Sequence, residues 1–255
     1  MIFDTHAHYD DKQFDEDREQ ILESMQEQGV GTIVDASATV ESWDRVLELT
    51  GQYSFLYGMI GVHPDEVGDL NEDNFVRMEQ LLQEEKIVAV GEIGLDYYWD
   101  KESHEIQKEW FIRQLQLARK LNMPVNIHSR ESAADTMQIM KEYASDMKAI
   151  IHCYSYSKEM AEEYVKMGYL LGIGGVVTFK NAKKLKEVVK AVPLSNLVLE
   201  TDCPYLAPEP NRGKRNSSAN LIYVAQTIAQ LKGTTTEEVI RVTEENARAF
   251  YGLVK

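Results

Sequence analysis

Short apolar segments alternate with longer amphipathic segments along the whole chain. The apolar runs are typical of buried strands, and they include "GTIVDA", "IVAVGEIG", "KAIIHC" and "NLVLETD". The stretch "EIQKEWFIRQLQLARKLN" carries Ile106, Trp110, Leu117 and Leu121 at helical spacing, which predicts an amphipathic helix. About eight strand-like runs are separated in this way by helical patterns.

Regular alternation of strands and helices predicts a parallel sheet with its helices packed outside it. Eight such units in 255 residues favour an α/β fold of one kind, a single-domain (β/α)8 TIM barrel that spans residues 1–255. An open, doubly wound sheet is the alternative. No GxGxxG phosphate loop supports that alternative, because "GIGG" is only a weak glycine cluster.

Polar side chains lie at the predicted carboxyl ends of these strands. In a parallel barrel the strand ends converge on one mouth, where the chemistry takes place. So many polar groups in one small volume need partners, and a metal centre provides them. His104 is the one histidine outside this pattern, and we expect it to be a surface residue. The residues at strand ends are His6 and His8 (strand 1), His63 (strand 3), Glu92 (strand 4), His128 (strand 5), His152 (strand 6) and Asp202 (strand 8).

The spacing of these residues suits two divalent ions. Residues i and i+2 of a strand share a face, so His6 and His8 can hold one ion together. A glutamate such as Glu92 has two oxygens and can bridge two ions, while His128 and His152 can hold the second. A few protein ligands with an open position for water are typical of a catalytic metal site. Imidazole-rich sites favour Zn, Mn, Fe or Ni, but a nuclease can also use Mg, so Mg stays a candidate ion.

The net charge of −15 argues against a protein that coats DNA. It does not exclude a nuclease, because bound cations and a local basic patch can reverse the field at one face. Arg212, Lys214 and Arg215, in the loop after strand 8, form the best candidate patch for a DNA backbone. A solvated loop held by neighbouring carboxylates is the alternative. Arg130 could bind a phosphate or form a salt bridge with Glu131 or another acid at the start of the following helix.

Several motifs together resemble the TatD family of metal-dependent deoxyribonucleases, which belongs to the amidohydrolase-like barrels. They are "DTHAH", "GVHP", "VGEIGLDYYWD", "NIHSR", "IHCYS" and "ETDCPYLAP" with "NRGKRN", and they cover essentially the whole chain in the family's order. The resemblance implies that one ion is held by His6, His8, Glu92 and Asp202. It implies a second ion held by Glu92, His128 and His152, with Glu92 as the bridge.

The same resemblance implies a function. Family members hydrolyse DNA phosphodiester bonds, often from a 3′ end, with a metal-activated water. Asp202, a carboxylate that would lie near the water as well as being a ligand, is the expected base. Glu92 is the expected bridging catalytic carboxylate, and His63 is the expected contact to the substrate phosphate or the acid. Single-stranded DNA or a 3′ end is the expected partner. An amidohydrolase-type hydrolase of a small ester, lactone or amide is the alternative, and a non-catalytic metal-binding scaffold is a third hypothesis.

Two departures from the family pattern concern the surroundings of the site. The family usually has Phe at the position of Tyr154 and a small residue at that of Tyr156, and these tyrosines could stack on a base or cap the barrel. Ser217 and Ser218 replace a frequent Glu-Pro. Asp4 could orient a ligand histidine or serve as a core contact. With no signal peptide or membrane segment expected, the predicted location is cytoplasmic, and the oligomeric state is open.

Overall fold

The structure, a computed structural model, describes residues 1–99 and 103–253. Asp100, the last residue of the motif "VGEIGLDYYWD", lies outside the described residues. Strands and helices alternate along the described chain. The strands are β1 (Ile2–Ala7), β2 (Val30–Ala36), β3 (Leu56–Ile60), β4 (Ile87–Asp96), β5 (Val125–Arg130), β6 (Ala149–Ile151), β7 (Leu170–Ile173) and β8 (Leu197–Leu199). The helices are α1 (Arg18–Ser24), α2 (Ser42–Gln52), α3 (Glu72–Leu81), α4 (His104–Leu121), α5 (Ala133–Tyr143), α6 (Lys158–Lys166), α7 (Lys183–Ala191), α8 (Leu221–Lys232) and α9 (Thr236–Tyr251).

Each apolar run predicted to be a strand overlaps one, but β4 continues to Asp96, so Glu92 lies inside this strand and not at its end as predicted, and two strands end earlier than expected. β3 ends at Ile60 and β8 ends at Leu199, so His63 and Asp202 each lie three residues beyond a strand. The reason at His63 is local: it caps a short 3-10 helix, Pro64–Asp69, by accepting the Asp65 N–H on its ring. Both residues are therefore held by loops.

The described chain divides into two compact units, and the first comprises Met1–Asp35 and Cys153–Lys255. Within it, β1 pairs in parallel with β2, and β7 pairs in parallel with β8. The segment after β8 returns to β1, because the Thr201 N–H donates to the His6 carbonyl at 3.2 Å. The C-terminal helices α8 and α9 belong to the same unit. That residues 1–255 form one domain stays a prediction.

The second unit, Ala36–His152, contains β3 to β6 as parallel neighbours in chain order. β4 is buried almost throughout, which explains its continuous apolar sequence. Gly94 in β4 has a φ of 151°, and a Cβ there would lie 1.9 Å from the His128 carbonyl oxygen. Only glycine permits this approach of β4 to β5. The approach brings the end of β4 beside His128.

Helix α4 buries a different stripe from the one predicted. Trp110 and Leu117 are buried, as expected, but Ile106 is 42% exposed. Two glutamines lie on the buried face instead. Gln107 accepts the Asp96 N–H and Gln114 accepts the Val62 N–H, each at 2.9 Å. Backbone groups at strand ends need such partners, and an apolar pattern does not reveal them. None of the helices in residues 1–99 and 103–253 is long and apolar enough to cross a membrane.

Candidate active site

Within the first unit, the structure brings together His6, His8 and Asp202, which we call the first donor group. His6 lies in β1 and His8 directly follows the strand. The two Nε2 atoms are 3.1 Å apart, and Asp202 Oδ1 lies 3.3 Å from His8 Nε2 and 3.8 Å from His6 Nε2. His6 is fully buried, while the Asp202 side chain is 20% exposed. Three lone-pair atoms thus converge on one point that solvent reaches from the side of Asp202.

The position of Asp202 depends on Asp4. The buried Asp4 carboxylate accepts hydrogen bonds from Thr201 Oγ1 and Ser218 Oγ, each at 2.6 Å, and from the Thr201 N–H at 3.0 Å. Burial raises the pKa of Asp4 to about 7, although these hydrogen bonds oppose the rise. Asp202 itself has a left-handed φ of 57°, a conformation that costs a non-glycine residue roughly 1–2 kcal/mol. Asp4 therefore anchors the residue that precedes Asp202.

Two further carboxylates lie behind His8. Asp10 Oδ1 is 4.0 Å from His8 Nδ1, which is beyond hydrogen-bond distance. Asp35 is fully buried and accepts the Tyr9 N–H at 2.5 Å. Burial raises the pKa of Asp10 to about 6 and that of Asp35 well above its ordinary value. These residues were not singled out from the sequence.

Within the second unit, the structure brings together Glu92, His128 and His152, which we call the second donor group. His128 Nδ1 lies 2.7 Å from Glu92 Oε1, and His152 Nε2 lies 3.7 Å from the same oxygen. Glu92 and His152 are buried at 3% and 4% exposure. Glu92 comes from β4, His128 from β5, and His152 directly follows β6. Neighbouring parallel strands thus supply one donor each.

Asp96 is a functional candidate that sequence reasoning missed. Its Oδ2 lies 3.1 Å from His128 Nε2, and its Oδ1 accepts the Tyr98 N–H at 2.8 Å. These two hydrogen bonds hold the pKa of Asp96 below its ordinary value, although burial opposes them. A signal was present, since Glu92 and Asp96 are four residues apart in one strand and share a face. The carboxylate fixes the orientation of the ring from the side away from Glu92.

The electrostatics of His128 follow from its two carboxylate partners. Burial disfavours the imidazolium form of His128, but Glu92 and Asp96 outweigh this and raise its pKa to about 9. A metal ion would take the place of the proton at Nδ1, because a ligand histidine binds in its neutral form. The hydrogen bond to Asp96 would then hold the remaining proton on Nε2.

His63 lies beside His128, with the two ring centroids 4.3 Å apart. Its Nδ1 accepts the Asp65 N–H at 3.2 Å. His63, Asp65 and Asp96 place one donor atom each within 4.8 Å of one another. Burial and the nearby Asp96 charge raise the pKa of Asp65 to about 6. His63 therefore adds an imidazole to the second unit's polar cluster.

Each donor group suits a divalent transition-metal ion by its chemistry. Each combines two imidazoles with one carboxylate, which is a donor set that Zn, Mn, Fe or Ni accepts readily. Burying imidazole and carboxylate groups costs folding free energy unless each group has a polar or charged partner. The residues that would hold ions are His6, His8 and Asp202 in the first unit, and Glu92, His128 and His152 in the second.

Arg130 is the predicted phosphate contact in the second unit. Its guanidinium carbon lies 3.8 Å from the centroid of the Tyr98 ring and 5.5 Å from that of Trp99. Arg130 makes no ion pair with any described residue, so neither Glu131 nor Asp135, the acid in the first turn of α5, pairs with it as the alternative predicted. Glu131 has a left-handed φ of 53°, and the chain turns between these two residues. The charge of Arg130 thus remains available to a ligand.

The basic loop of the first unit, which carries Arg212, Lys214 and Arg215, is only partly available to bind a DNA backbone. Arg215 pairs with Asp17 and packs over Phe14 at 4.9 Å. Arg212 packs over Phe179 at 4.2 Å, with Glu209 at 4.0 Å. Lys214 is exposed and forms no ion pair within the described part of the chain. The alternative of a loop held by carboxylates therefore applies to Arg215 and, more weakly, to Arg212.

The departures from the family motifs have structural explanations. Tyr154 is only 2% exposed and donates its hydroxyl to the Ser157 carbonyl at 2.6 Å, so it packs in the core and presents no face to a base. Tyr156 is half-buried against it. Ser218 is buried and donates to Asp4, whereas Ser217 is half-buried. Ser218 thus contributes to the anchoring of the Asp202 segment.

Comparison of the sequence with known proteins shows which family the chain belongs to. Residues 3–252 match the family model described as "TatD related DNase". The metal-dependent hydrolase YabD of Bacillus subtilis is 44% identical over 252 residues, covering 98% of this chain and 99% of YabD. The human protein named deoxyribonuclease TATDN3 is 32% identical, covering 98% of this chain and 94% of TATDN3.

The solved structures agree with the sequence comparisons. The crystal structure of YjjV, a TatD homologue from Escherichia coli, superposes with a TM-score of 0.92 at 30% identity and covers 98% of both chains. The predicted (β/α)8 TIM-barrel fold is thereby confirmed. A TatD-family hydrolase from Entamoeba histolytica has the same fold, with a TM-score of 0.86 at 24% identity. The chain therefore belongs to the TatD-related DNases, a family whose curated members include proteins named as metal-dependent hydrolases.

Proposed function

We propose that this protein is a divalent-metal-dependent hydrolase that cleaves DNA phosphodiester bonds and removes nucleotides from the 3′ end of single strands. The observation that carries the proposal is the pair of donor groups, each with two imidazoles and one carboxylate. The name of the human relative, deoxyribonuclease TATDN3, supports DNA as the substrate. The cytoplasmic location predicted from the sequence is part of the proposal.

The proposal assigns one ion to each donor group, with Glu92 as the carboxylate shared by both ions, as the family resemblance implies. His6, His8 and Asp202 hold the first ion, and His128 and His152 hold the second with Glu92. When bound, such ions lower the pKa of water and stabilise negative charge that develops on a phosphoryl oxygen. Their identity among Zn, Mn, Mg and Ni is left to measurement.

Asp202 is the proposed base. Its side chain is the most exposed of the first donor group, so one carboxylate oxygen can accept a proton from a water molecule while Oδ1 faces His8 Nε2. A general base must lie within hydrogen-bond reach of the proton that it removes. The left-handed backbone at Asp202 and the Asp4 anchor before it hold this carboxylate in place.

His63 is the proposed phosphate contact, and its hydrogen bonding defines which ring atom acts. Because Nδ1 accepts the Asp65 N–H, the proton of the neutral ring lies on Nε2. Nε2–H is then the atom that donates to a phosphate oxygen. Arg130, Lys214, Arg212 and Arg215 supply positive charge for the DNA backbone, with Arg130 and Lys214 the most available.

The test is digestion of a single-stranded oligonucleotide, labelled at its 5′ end in one sample and at its 3′ end in another, with Mg or Mn. Removal of nucleotides from the 3′ end gives a ladder of shortened 5′-labelled products and releases the 3′ label at once. Glu92→Ala and Asp202→Asn should abolish both signals, while Glu85→Ala, which removes an exposed carboxylate outside both donor groups, should leave them unchanged.

Two results would contradict the proposal. Glu92→Ala and Asp202→Asn preparations that cut as fast as the parent would show that the activity comes from a contaminant. A panel of small esters, lactones and amides hydrolysed faster than any oligonucleotide would instead favour the amidohydrolase-type alternative.

A further inference from the structure

Two large aromatic side chains are exposed directly after β4. Tyr98 is 49% exposed and Trp99 is 68% exposed. The other two tryptophans of the chain, Trp43 and Trp110, are buried at 0% and 6%. Leaving a tryptophan in water forgoes the large stabilisation that its burial would give. A pair of exposed aromatic rings next to a candidate active site therefore indicates a binding surface.

Tyr98, Trp99 and Arg130 together form one surface, which we call the aromatic platform. The two rings meet edge to face with their centroids 4.6 Å apart and an interplanar angle of 89°. The Arg130 guanidinium lies over Tyr98 at 3.8 Å and near Trp99 at 5.5 Å. All three side chains are exposed. The surface thus combines flat π faces with a positive charge that forms no ion pair among residues 1–99 and 103–253.

Hydrogen bonds connect the platform to the second donor group. The Tyr98 N–H donates to Asp96 Oδ1 at 2.8 Å, and Asp96 Oδ2 contacts His128 Nε2 at 3.1 Å. The Tyr97 N–H donates to the Arg130 carbonyl at 2.9 Å. Arg130 is also only two residues beyond His128 in β5. A ligand on the platform therefore lies close to the second donor group.

Tyr97, the residue that precedes the platform, is held in place by contacts within the protein. The Tyr97 ring stacks on His104 with centroids 3.6 Å apart, and its hydroxyl donates to Asp135 Oδ2 at 2.7 Å. Lys108 pairs with the same carboxylate at 2.9 Å. These contacts fix the residue that precedes Tyr98, which reduces the conformational freedom that the backbone of the platform would lose when a ligand binds.

We propose that the aromatic platform binds a nucleobase of the single-stranded DNA substrate by stacking, while Arg130 binds the adjoining phosphate. The inference rests on the proposed nuclease function and adds a base-binding subsite to it. Bases stack on aromatic rings irrespective of sequence, and a cation beside the rings complements the backbone charge. On a chain with a net charge of −15, an exposed arginine on an aromatic surface favours an anionic, flat ligand.

The experiment separates base stacking from backbone binding. The KM is measured for an octathymidylate and for an octamer of abasic tetrahydrofuran units, which keeps the phosphates and lacks the bases. Stacking contributes roughly 1–3 kcal/mol per base, which corresponds to a KM for the abasic octamer about 5- to 150-fold higher with the parent enzyme. The ratio should approach one in the double variant Tyr98→Leu/Trp99→Leu.

Matched variants distinguish an aromatic face from mere apolar surface. Trp99→Phe keeps a π face and should retain most of the parent's ratio, whereas Trp99→Leu should lose much of it. Val76→Ala and Ile106→Ala remove exposed apolar side chains elsewhere in the same unit and should leave the ratio unchanged.

Each outcome decides a different question. A parent enzyme that cuts the octathymidylate, with the same KM ratio in the double leucine variant, would overturn the platform and leave the nuclease proposal standing. A parent enzyme that cuts no oligonucleotide would overturn the nuclease proposal and the platform with it. A parent dimer in sedimentation that the double leucine variant abolishes would assign the surface to a second copy of the chain and would also overturn the inference.

Discussion

The two donor groups contain the same kinds of side chain in different surroundings. In the first, the Asp10 carboxylate lies 4.0 Å from His8 Nδ1, which is beyond hydrogen-bond distance. In the second, His128 contacts a carboxylate at each ring nitrogen, at 2.7 Å and 3.1 Å. A carboxylate on the far nitrogen sets both the orientation and the tautomer of a ligand histidine. Asp96 therefore prepares the second group with a hydrogen bond to His128, whereas Asp10 makes no such bond to His8.

The difference extends to how each carboxylate donor is supported. Glu92 lies inside the long strand β4, whereas Asp202 lies in a loop three residues beyond the short strand β8. The loop needs the buried Asp4 to anchor it, and Asp4 needs Thr201 and Ser218 as donors. A site on a strand requires little additional support, and a site on a loop requires a buried polar network.

The largest expected effect is the loss of either donor group. His8→Ala and His152→Ala should each lower the metal content by about one ion per chain, and each should slow DNA hydrolysis by roughly a thousandfold. Loss of one ion removes several kcal/mol of charge stabilisation, and each 1.36 kcal/mol is a factor of ten in rate. Elemental analysis and initial rates measure both quantities. His104→Ala removes the histidine outside both groups and should keep the parent's ions.

Simultaneous loss of both ions in His8→Ala would show that the groups do not bind independently. Retention of both ions in either variant would show that the substituted histidine is no ligand.

The next largest effect concerns Asp96. In Asp96→Asn, the amide oxygen of the new side chain accepts the hydrogen bond from the Tyr98 N–H. The amide NH2 group therefore faces His128 Nε2. That arrangement favours the tautomer with its proton on Nδ1, which blocks the atom that faces Glu92. The affinity for the ion of the second group should fall about 10- to 100-fold. Competition with a chelating dye measures the affinity, and nitrogen-15 spectra of the metal-free protein report the tautomer.

Asp10→Asn is the matched variant in the first unit. At 4.0 Å its carboxylate does not bond to His8, so the affinity for the ion should change by less than about threefold. Equal losses of affinity in the two variants would contradict the difference between the donor groups.

The fold and the donor residues could be predicted from sequence because both follow simple periodicities. Eight strand-like runs separated by helical patterns leave few topologies, and the spacing of His6 and His8 follows from the two-residue repeat of a strand. Strand ends also indicated His128 and His152, because parallel strands end on the same side of a sheet. Asp96 could have been found by the same rule, since it shares a strand face with Glu92.

Other features depend on contacts between distant parts of the chain, and no local pattern reveals them. Arg215 pairs with Asp17, which lies 198 residues earlier. Ser218 bonds to Asp4 across 214 residues, and Tyr154 is buried although its sequence surroundings are polar. Ile106 matched a helical apolar pattern and is exposed, because strand-end backbone groups take the glutamines of α4 as partners. Polar contacts between separate elements decided the cases of Arg215, Ser218 and Ile106.

A smaller effect is expected where the first unit anchors its loop. Ser218→Ala removes one donor from the buried Asp4 carboxylate and a partner of the Tyr9 hydroxyl, 3.0 Å away. The free energy of unfolding should fall by about 1–3 kcal/mol, because a buried acceptor loses its donor. Urea unfolding measures the change. Ser217→Ala alters the neighbouring half-buried serine and should stay within about 0.5 kcal/mol of the parent. Equal stability of the two variants would show that Ser218 does not anchor Asp4.

The smallest effect distinguishes the cations of the two units. Arg130 in the second unit makes no ion pair with the described residues, whereas Arg215 in the first pairs with Asp17. A phosphate contact on single-stranded DNA changes the slope of log affinity against log salt by about 0.7. Arg130→Ala and Lys214→Ala should each reduce the slope by about that amount, and Arg215→Ala by clearly less, because Asp17 already neutralises its charge. Arg241→Ala is the control, since that arginine pairs with Glu238 and Glu245 on α9. A larger slope change for Arg215→Ala than for Arg130→Ala, measured by fluorescence anisotropy of a labelled oligonucleotide, would mean that DNA displaces Asp17 and that the basic loop is the main phosphate site.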